Sequence, residues 1–227
     1  VVATNLSGGI NNAFAVDHPL WCEMYDKLGQ KGILNVCSAP NESISVDLEG
    51  DMPTTCTSPY IIAATNVDQS DVLVESAGFG AVSIDMGAPG DGTVTTATTS
   101  KYKDFAGTSA AAPHVAGMIA LMYSTPCTDF LFDIKSNPSG TATRIRDIIL
   151  STGQPNNSLE DMTVTGKRLQ ADAAMLATVT DCGMHVEPTL QIFSIRPNPV
   201  RLDYIQVYFE VPENAPTPFF EIFTATG

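Results

Sequence analysis

Along residues 1–176, short apolar runs alternate with stretches of helical spacing. VVATNL (1–6), GILNVCSA (32–39) and SPYIIAATN (58–66) predict strands. The second and third are continuously apolar, which suits strands covered on both faces of a parallel sheet. HPLWCEMYDKLGQKG (18–32) predicts a helix with Leu20, Met24 and Leu28 as its inner stripe, closed at Gly29 or Gly32. VLVESAGFG (72–80) and AVSIDMGAPGDG (81–92) read as a short strand pair with Gly and Pro turns. SAAAPHVAGMIALMYS (109–124), TRIRDIILST (143–152) and KRLQADAAMLAT (167–178) predict helices. The order implies an α/β fold, a three-layer arrangement of a parallel sheet with helices on both faces.

The pattern changes after about residue 180. DCGMHVEPTL is linker-like, and beyond it Ile205, Val207, Phe209 and Val211 alternate between Pro and Asn turns. The expected division is 1–182 for the α/β domain, 183–190 for a linker and 191–227 for a truncated all-β segment. The chain opens on an apolar strand without a Met and closes with only two or three strands, so it reads as a fragment at both ends.

Composition narrows the function classes. The net charge is −14 and the 11 basic residues form no block, which argues against nucleic acid or an anionic membrane as partner. No run of 18 apolar residues is present, so no transmembrane segment is expected. Cys22, Cys37, Cys56, Cys127 and Cys182 show no CxxC metal spacing, and their odd number leaves at least one thiol free unless the chain pairs with another. Cys37, inside an apolar run, is expected as a buried core thiol. Cys127 and Cys182 are a candidate pair in an exported protein. Asp85, Asp91 and the acids at 47–51 read as a solvated acidic surface.

GTSAAAPHVAG (107–117) carries the candidate chemistry. Gly107 suits a tight turn, Thr108 and Ser109 suit a helix start, and the alanines let other backbone approach closely. A serine there meets unpaired N–H groups and the positive end of the helix dipole, which favour an oxyanion forming beside it. Read locally, Ser109 is as well explained as a helix N-cap.

The same stretch is similar to the nucleophile motif of the subtilase (subtilisin-like serine protease) family, a GTS-x-A-x-P-H-V-A-G pattern opening a central helix. ILNVCSAPN (33–41) resembles the family strand ending in the oxyanion-hole Asn, here Asn41. SPYIIAATN, SIDMGAPGDG and TGKRLQADAAM resemble later family segments, in family order, across about residues 1–176. The resemblance implies an incomplete subtilisin-like fold and a serine endopeptidase acting on protein or peptide substrates. Ser109 would be the nucleophile and Asn41 an oxyanion donor. Ser7, Gly8 and Gly9 on one side, and Ser38, Ala39 and Pro40 on the other, with Thr108, would bind the substrate as an added strand. Two positions depart from the family: Pro40 stands where a Gly is usual, and Gly8 where a larger residue is usual.

Subtilases carry Asp, His and Ser in that chain order. His114 lies five residues after Ser109, roughly 140° around the same helix, so it is expected to pack elsewhere. His18, adjacent to Asp17, reads as a helix entry, and His185 lies in the linker. The Asp and His of the triad are therefore expected upstream of this chain. No cofactor is implied; structural calcium is common in the family, but no loop here has convincing ligand spacing. Arg196–Pro199 and the following strands resemble the start of a type IX secretion C-terminal sorting domain. That implies contact with an export machinery and a secreted or cell-surface location through bacterial outer-membrane export. The alternative function is a catalytically dead, subtilase-like peptide-binding or surface module.

Overall fold

The computed structural model describes residues 1–99, 101–125, 127–182, 191–196 and 206–210. The chain divides into two units, Val1–Met184 and His185–Gly227. The first unit begins β1 (Ala3–Leu6), β2 (Ile10–Asn11), α1 (Pro19–Gly29), β3 (Leu34–Ser38), α2 (Val46–Glu49), β4 (Asp51–Met52) and β5 (Ile61–Val67). It continues with β6 (Met86–Pro89), β7 (Thr93–Ala97), β8 (Lys101–Phe105), α3 (Thr108–Tyr123), α4 (Thr128–Ser136) and α5 (Pro138–Thr152), and closes with β9 (Gln154–Pro155), β10 (Lys167–Arg168) and α6 (Ala171–Asp181).

Six strands form one sheet in the order β1-β3-β5-β6-β10-β9. All neighbours run parallel except β9, which is antiparallel to β10. The unbroken apolarity of β3 and β5 has the expected cause, because both faces are covered. Leu34, Val36, Ile62 and Ala64 point to one face, where α3 (Ala111, Val115, Ile119, Met122), α5 (Ile145, Ile149) and α6 (Ala174) pack. Cys37, Ile61 and Ala63 point to the other, against Tyr25, Val46, Met52 and Ile84, with Trp21 and Cys22 of α1 alongside. The fold is a helix-flanked, mainly parallel α/β sheet.

Several expectations need correction. Leu20 is 77% exposed and Met24 53%, so of the spacing-four stripe of α1 only Leu28 faces inward. The inner stripe is Trp21, Cys22, Tyr25 and Leu28, fixed by a Cys22–Cys56 disulfide and a Trp21 Nε1–H bond to Tyr25 Oη of 2.9 Å. VLVESAGFG is not a strand; it is a series of turns with single bridges from Leu73 to Val67 and from Phe79 to Ser45. Helix α4 and the β7–β8 hairpin went unread, although TVTTATT is rich in β-branched residues. Cys127 and Cys182 are disulfide-bonded, and Cys37 is free and buried.

The acids divide three ways rather than forming one solvated surface. Asp91 is exposed, and Asp47 accepts hydrogen bonds from the Val82 and Ser83 N–H groups. Asp85 and Asp51 are buried. Asp85 lies between β5 and α5, with Oδ1 2.6 Å from Arg146 Nη2 and Oδ2 accepting the Ala63 N–H at 2.8 Å. Burial raises the Asp85 pKa, and Arg146 and the Ala63 N–H oppose the rise.

No helix among the described residues is long and apolar enough to cross a membrane. In the second unit, β11 (Gln191–Arg196) and β12 (Gln206–Glu210) pair antiparallel. Residues 197–199 of the Arg196–Pro199 motif, and 211–227, lie outside the described residues, as does His185.

Candidate active site

Gly107 is the backbone cap of α3, at φ +98° and ψ 178°, a conformation open to glycine and strained for other residues. A β-carbon there would also fall 2.6 Å from Asn41 Oδ1. Ser109 is thus the second residue of α3 and not its cap, and its hydroxyl makes no hydrogen bond to another described residue.

Asn41 reaches this turn from the end of β3. Its Oδ1 accepts from the Thr108 N–H at 3.0 Å and the Thr108 hydroxyl at 3.1 Å. A backbone N–H can only donate, so the atom facing Thr108 is the amide oxygen, and Nδ2 is left unengaged. In the first turn of α3 the Thr108 N–H is used by Asn41, and those of Ala110 and Ala111 by the Gly107 carbonyl. The Ser109 N–H is free. Two donors beside one serine hydroxyl are therefore unspent at the positive end of a 16-residue helix.

Pro113 sets the next contact. It lies inside α3 and has no N–H, so the Ser109 carbonyl lacks its usual partner four residues on. The Ser7 hydroxyl supplies the missing donor at 2.9 Å. This bond ties the segment after β1 to the Ser109 turn across 102 residues. Nothing lies within 4 Å of a β-carbon built on Gly8. Pro40 does not displace Asn41: its carbonyl accepts the Gly78 N–H at 2.8 Å, and its ring packs on the Gly78 α-carbon. The side chains of Ser38, Ala39 and Pro40 are buried, so this edge presents backbone. Thr108 is fully buried with its hydroxyl committed to Asn41, so it holds the donor instead of facing the cleft.

Neither His18 nor His114 hydrogen-bonds Ser109. His18 precedes α1 and meets the Trp21 ring edge-on at 6.5 Å. His114 is exposed, not packed, and its Nδ1 lies 2.8 Å from the Ala110 carbonyl one turn back. Among the described residues no three His, Cys, Asp or Glu side chains gather to hold a metal ion. A cavity of about 250 Å³ lined by Thr54, Thr55, Asp85 and Arg146 includes neither Ser109 nor Asn41.

Asp51 was missed in the sequence. It is 2% exposed; its Oδ2 accepts from the Thr54 hydroxyl at 2.7 Å, and burial raises its pKa from 3.8 to about 6. The folded chain therefore holds this proton to higher pH than the unfolded chain, and stability falls as pH rises from about 4 to about 6. The Cys37 thiol is held neutral by burial and by the Asp85 and Asp51 charges. Asp51→Asn is expected to raise stability at pH 7.5 by about 1–3 kcal/mol. Urea titrations should show the gain vanishing below about pH 4, where Asp51 is protonated in both states.

Residues 4–167 match the model of the subtilase family. Over 152 residues the chain is 29% identical to Subtilisin-like protease 2 of Plasmodium falciparum, spanning 67% of this chain and 11% of that protein. It is 38% identical over 94 residues to the Thermophilic serine proteinase of Bacillus sp. strain AK1 (41% of this chain, 22% of that one). It is 34% identical over 95 residues to the Major intracellular serine protease of Bacillus subtilis (42% and 30%). Among solved structures, a chain of the subtilase cytotoxin SubAB superposes with a TM-score of 0.63 at 21% identity, covering 79% of this chain and 59% of that one. The patellamide maturation protease PatA gives 0.63 at 19%, covering 82% and 64%. These two likenesses establish the fold. With the family match across the Ser109 turn, Asn41 and the sheet that carries both, the chain belongs to the subtilase family.

Proposed function

We propose that this chain is part of a serine endopeptidase in which Ser109 attacks the peptide carbonyl. Asn41 Nδ2 and the Ser109 N–H then stabilise the tetrahedral oxyanion. The carrying observation is the Thr108–Asn41 clamp, which orients the amide and leaves both donors free. The general base is a His, oriented by an Asp, and both come from outside these 227 residues; no described His is placed to serve. The substrate is a polypeptide lying as an extended strand between Ser7–Gly9 and Ser38–Pro40. Export and a surface location, with 191–227 as the sorting segment, complete the reading. Two disulfides in one small domain support an oxidising compartment.

The second reading, a silent peptide-binding subtilase, shares the cleft but has no reacting base. Treating the full-length protein with a fluorophosphonate probe separates them. Labelling confined to Ser109 and lost in Ser109→Ala supports the peptidase; no labelling, or labelling that survives the substitution, overturns it. Asn41→Ala is expected to lower kcat by a hundred- to a thousand-fold with little change in KM, a magnitude carried over from subtilisin. Steady-state kinetics on a peptide substrate check it.

A further inference from the structure

Asp51 and Asp85 are both buried next to Cys37, yet only one of them has a cation. Asp85 is paired with Arg146 and the Ala63 N–H. Asp51 makes no ion pair with any Lys or Arg among the described residues. Its Oδ2 is held by Thr54, and its Oδ1 has no donor. Asp51 is only 2% exposed, so this oxygen is a buried acceptor without a described partner. The turn at 53–56 needs only one side-chain oxygen to cap it. The second oxygen, and the charge, are left over.

Its position in the fold gives that charge a use. β1 and β3 are paired as far as Leu6 and Cys37, and then the two segments part. Ser7–Gly9 leads into β2, which pairs with β4, while Ser38 and Ala39 stay on β5. β4 therefore lies across the base of the fork. Asn11 is paired with Asp51, and a β-carbon on Gly9 would lie 3.5 Å from Asp51 Oδ1. Ser109 and Asn41 stand at the open end, joined to its two sides by the Ser7 bond and by β3. The fork's edges carry only small residues: Gly8, Gly9, Ser38 and Ala39.

We propose that Asp51 is the floor of the pocket for the substrate side chain on the acyl side of the scissile bond, and that it selects lysine or arginine there. This rests on the peptidase reading above. A long unbranched side chain can pass the small edges, and its ammonium or guanidinium group gives Oδ1 the donor the protein lacks. An uncharged side chain would leave the carboxylate buried and unpaired.

The test compares peptide substrates of the full-length protein that differ only at that residue, with active enzyme counted by fluorophosphonate titration. Lysine or arginine is expected to exceed leucine or phenylalanine in kcat/KM by about a hundredfold or more. Asp51→Asn is expected to remove that advantage, bringing cationic and uncharged substrates within about threefold of one another. Benzamidine should compete with cationic substrates in the unaltered protein, an arm that needs no variant. Ser109-dependent cleavage that favours an uncharged residue, or a lysine preference that survives Asp51→Asn, overturns the assignment and leaves the peptidase reading intact. Absence of both labelling and cleavage overturns both.

Discussion

Ser109→Ala in the full-length protein is expected to lower kcat for peptide hydrolysis by on the order of a million-fold, the loss subtilisin itself suffers without its nucleophile. The reason is chemical. Alanine removes the only oxygen able to form the acyl intermediate, while the Asn41 amide and the position-109 N–H remain. The residue rate should stay above that of water by on the order of a thousand-fold, because the oxyanion donors still act on a directly attacking water. KM should change little, since the Ser7 bond goes to the backbone carbonyl of residue 109 and does not use the lost hydroxyl. Single-turnover kinetics would measure both. A variant that keeps a tenth of the activity would remove Ser109 from the chemistry.

Arg146→Ala is expected to have the largest effect on stability, about 3–5 kcal/mol, measured by urea denaturation at pH 7.5. The substitution strips Asp85 of its only cation among the described residues and also removes the 2.8 Å bond from Arg146 Nε to the Ile61 carbonyl. Asp85 would keep only the Ala63 N–H, in a site whose burial already disfavours its ionised form. Its folded pKa would rise further above the unfolded value, so the loss of stability grows as pH rises from about 4 and eases toward acid. The Cys37 thiol, the other titratable neighbour, stays neutral across that range. Asp85→Asn added to Arg146→Ala should restore part of the loss, because the buried charge is then gone. An exposed pair would show no such pattern: Glu23–Lys27 on α1, more than half exposed on both sides, should give under about 1 kcal/mol.

These two sites lie at opposite limits of what a linear reading can hold. Gly107, Ser109 and Pro113 sit within seven positions, and their effects are local: a left-handed turn, a helix start, a missing donor. The apolar runs of β3 and β5 are local too, and they announce a doubly covered sheet. Leu20 and Met24, exposed while Leu28 packs inward, show where such reading fails. Periodicity marks that a helix has a face, but the Cys22–Cys56 disulfide, formed across 34 positions, turned a different face inward.

The sequence by itself determined the glycine turn and helix start at 107–109, the strand-and-helix order that carries them, and the burial of Cys37, because each depends on residues near one another in the chain. Only the tertiary structure decided the partners. Pro113 orphans the Ser109 carbonyl locally, but the donor that answers it is Ser7; Asn41 is an exposed turn residue until Thr108 fixes which end of its amide is free. The same holds for charge. Asp51 and Asp85 look alike as letters, and a carboxylate's pKa, pairing and use are set by what is folded around it. One was given an arginine from α5, and the other the Thr54 hydroxyl and no described cation.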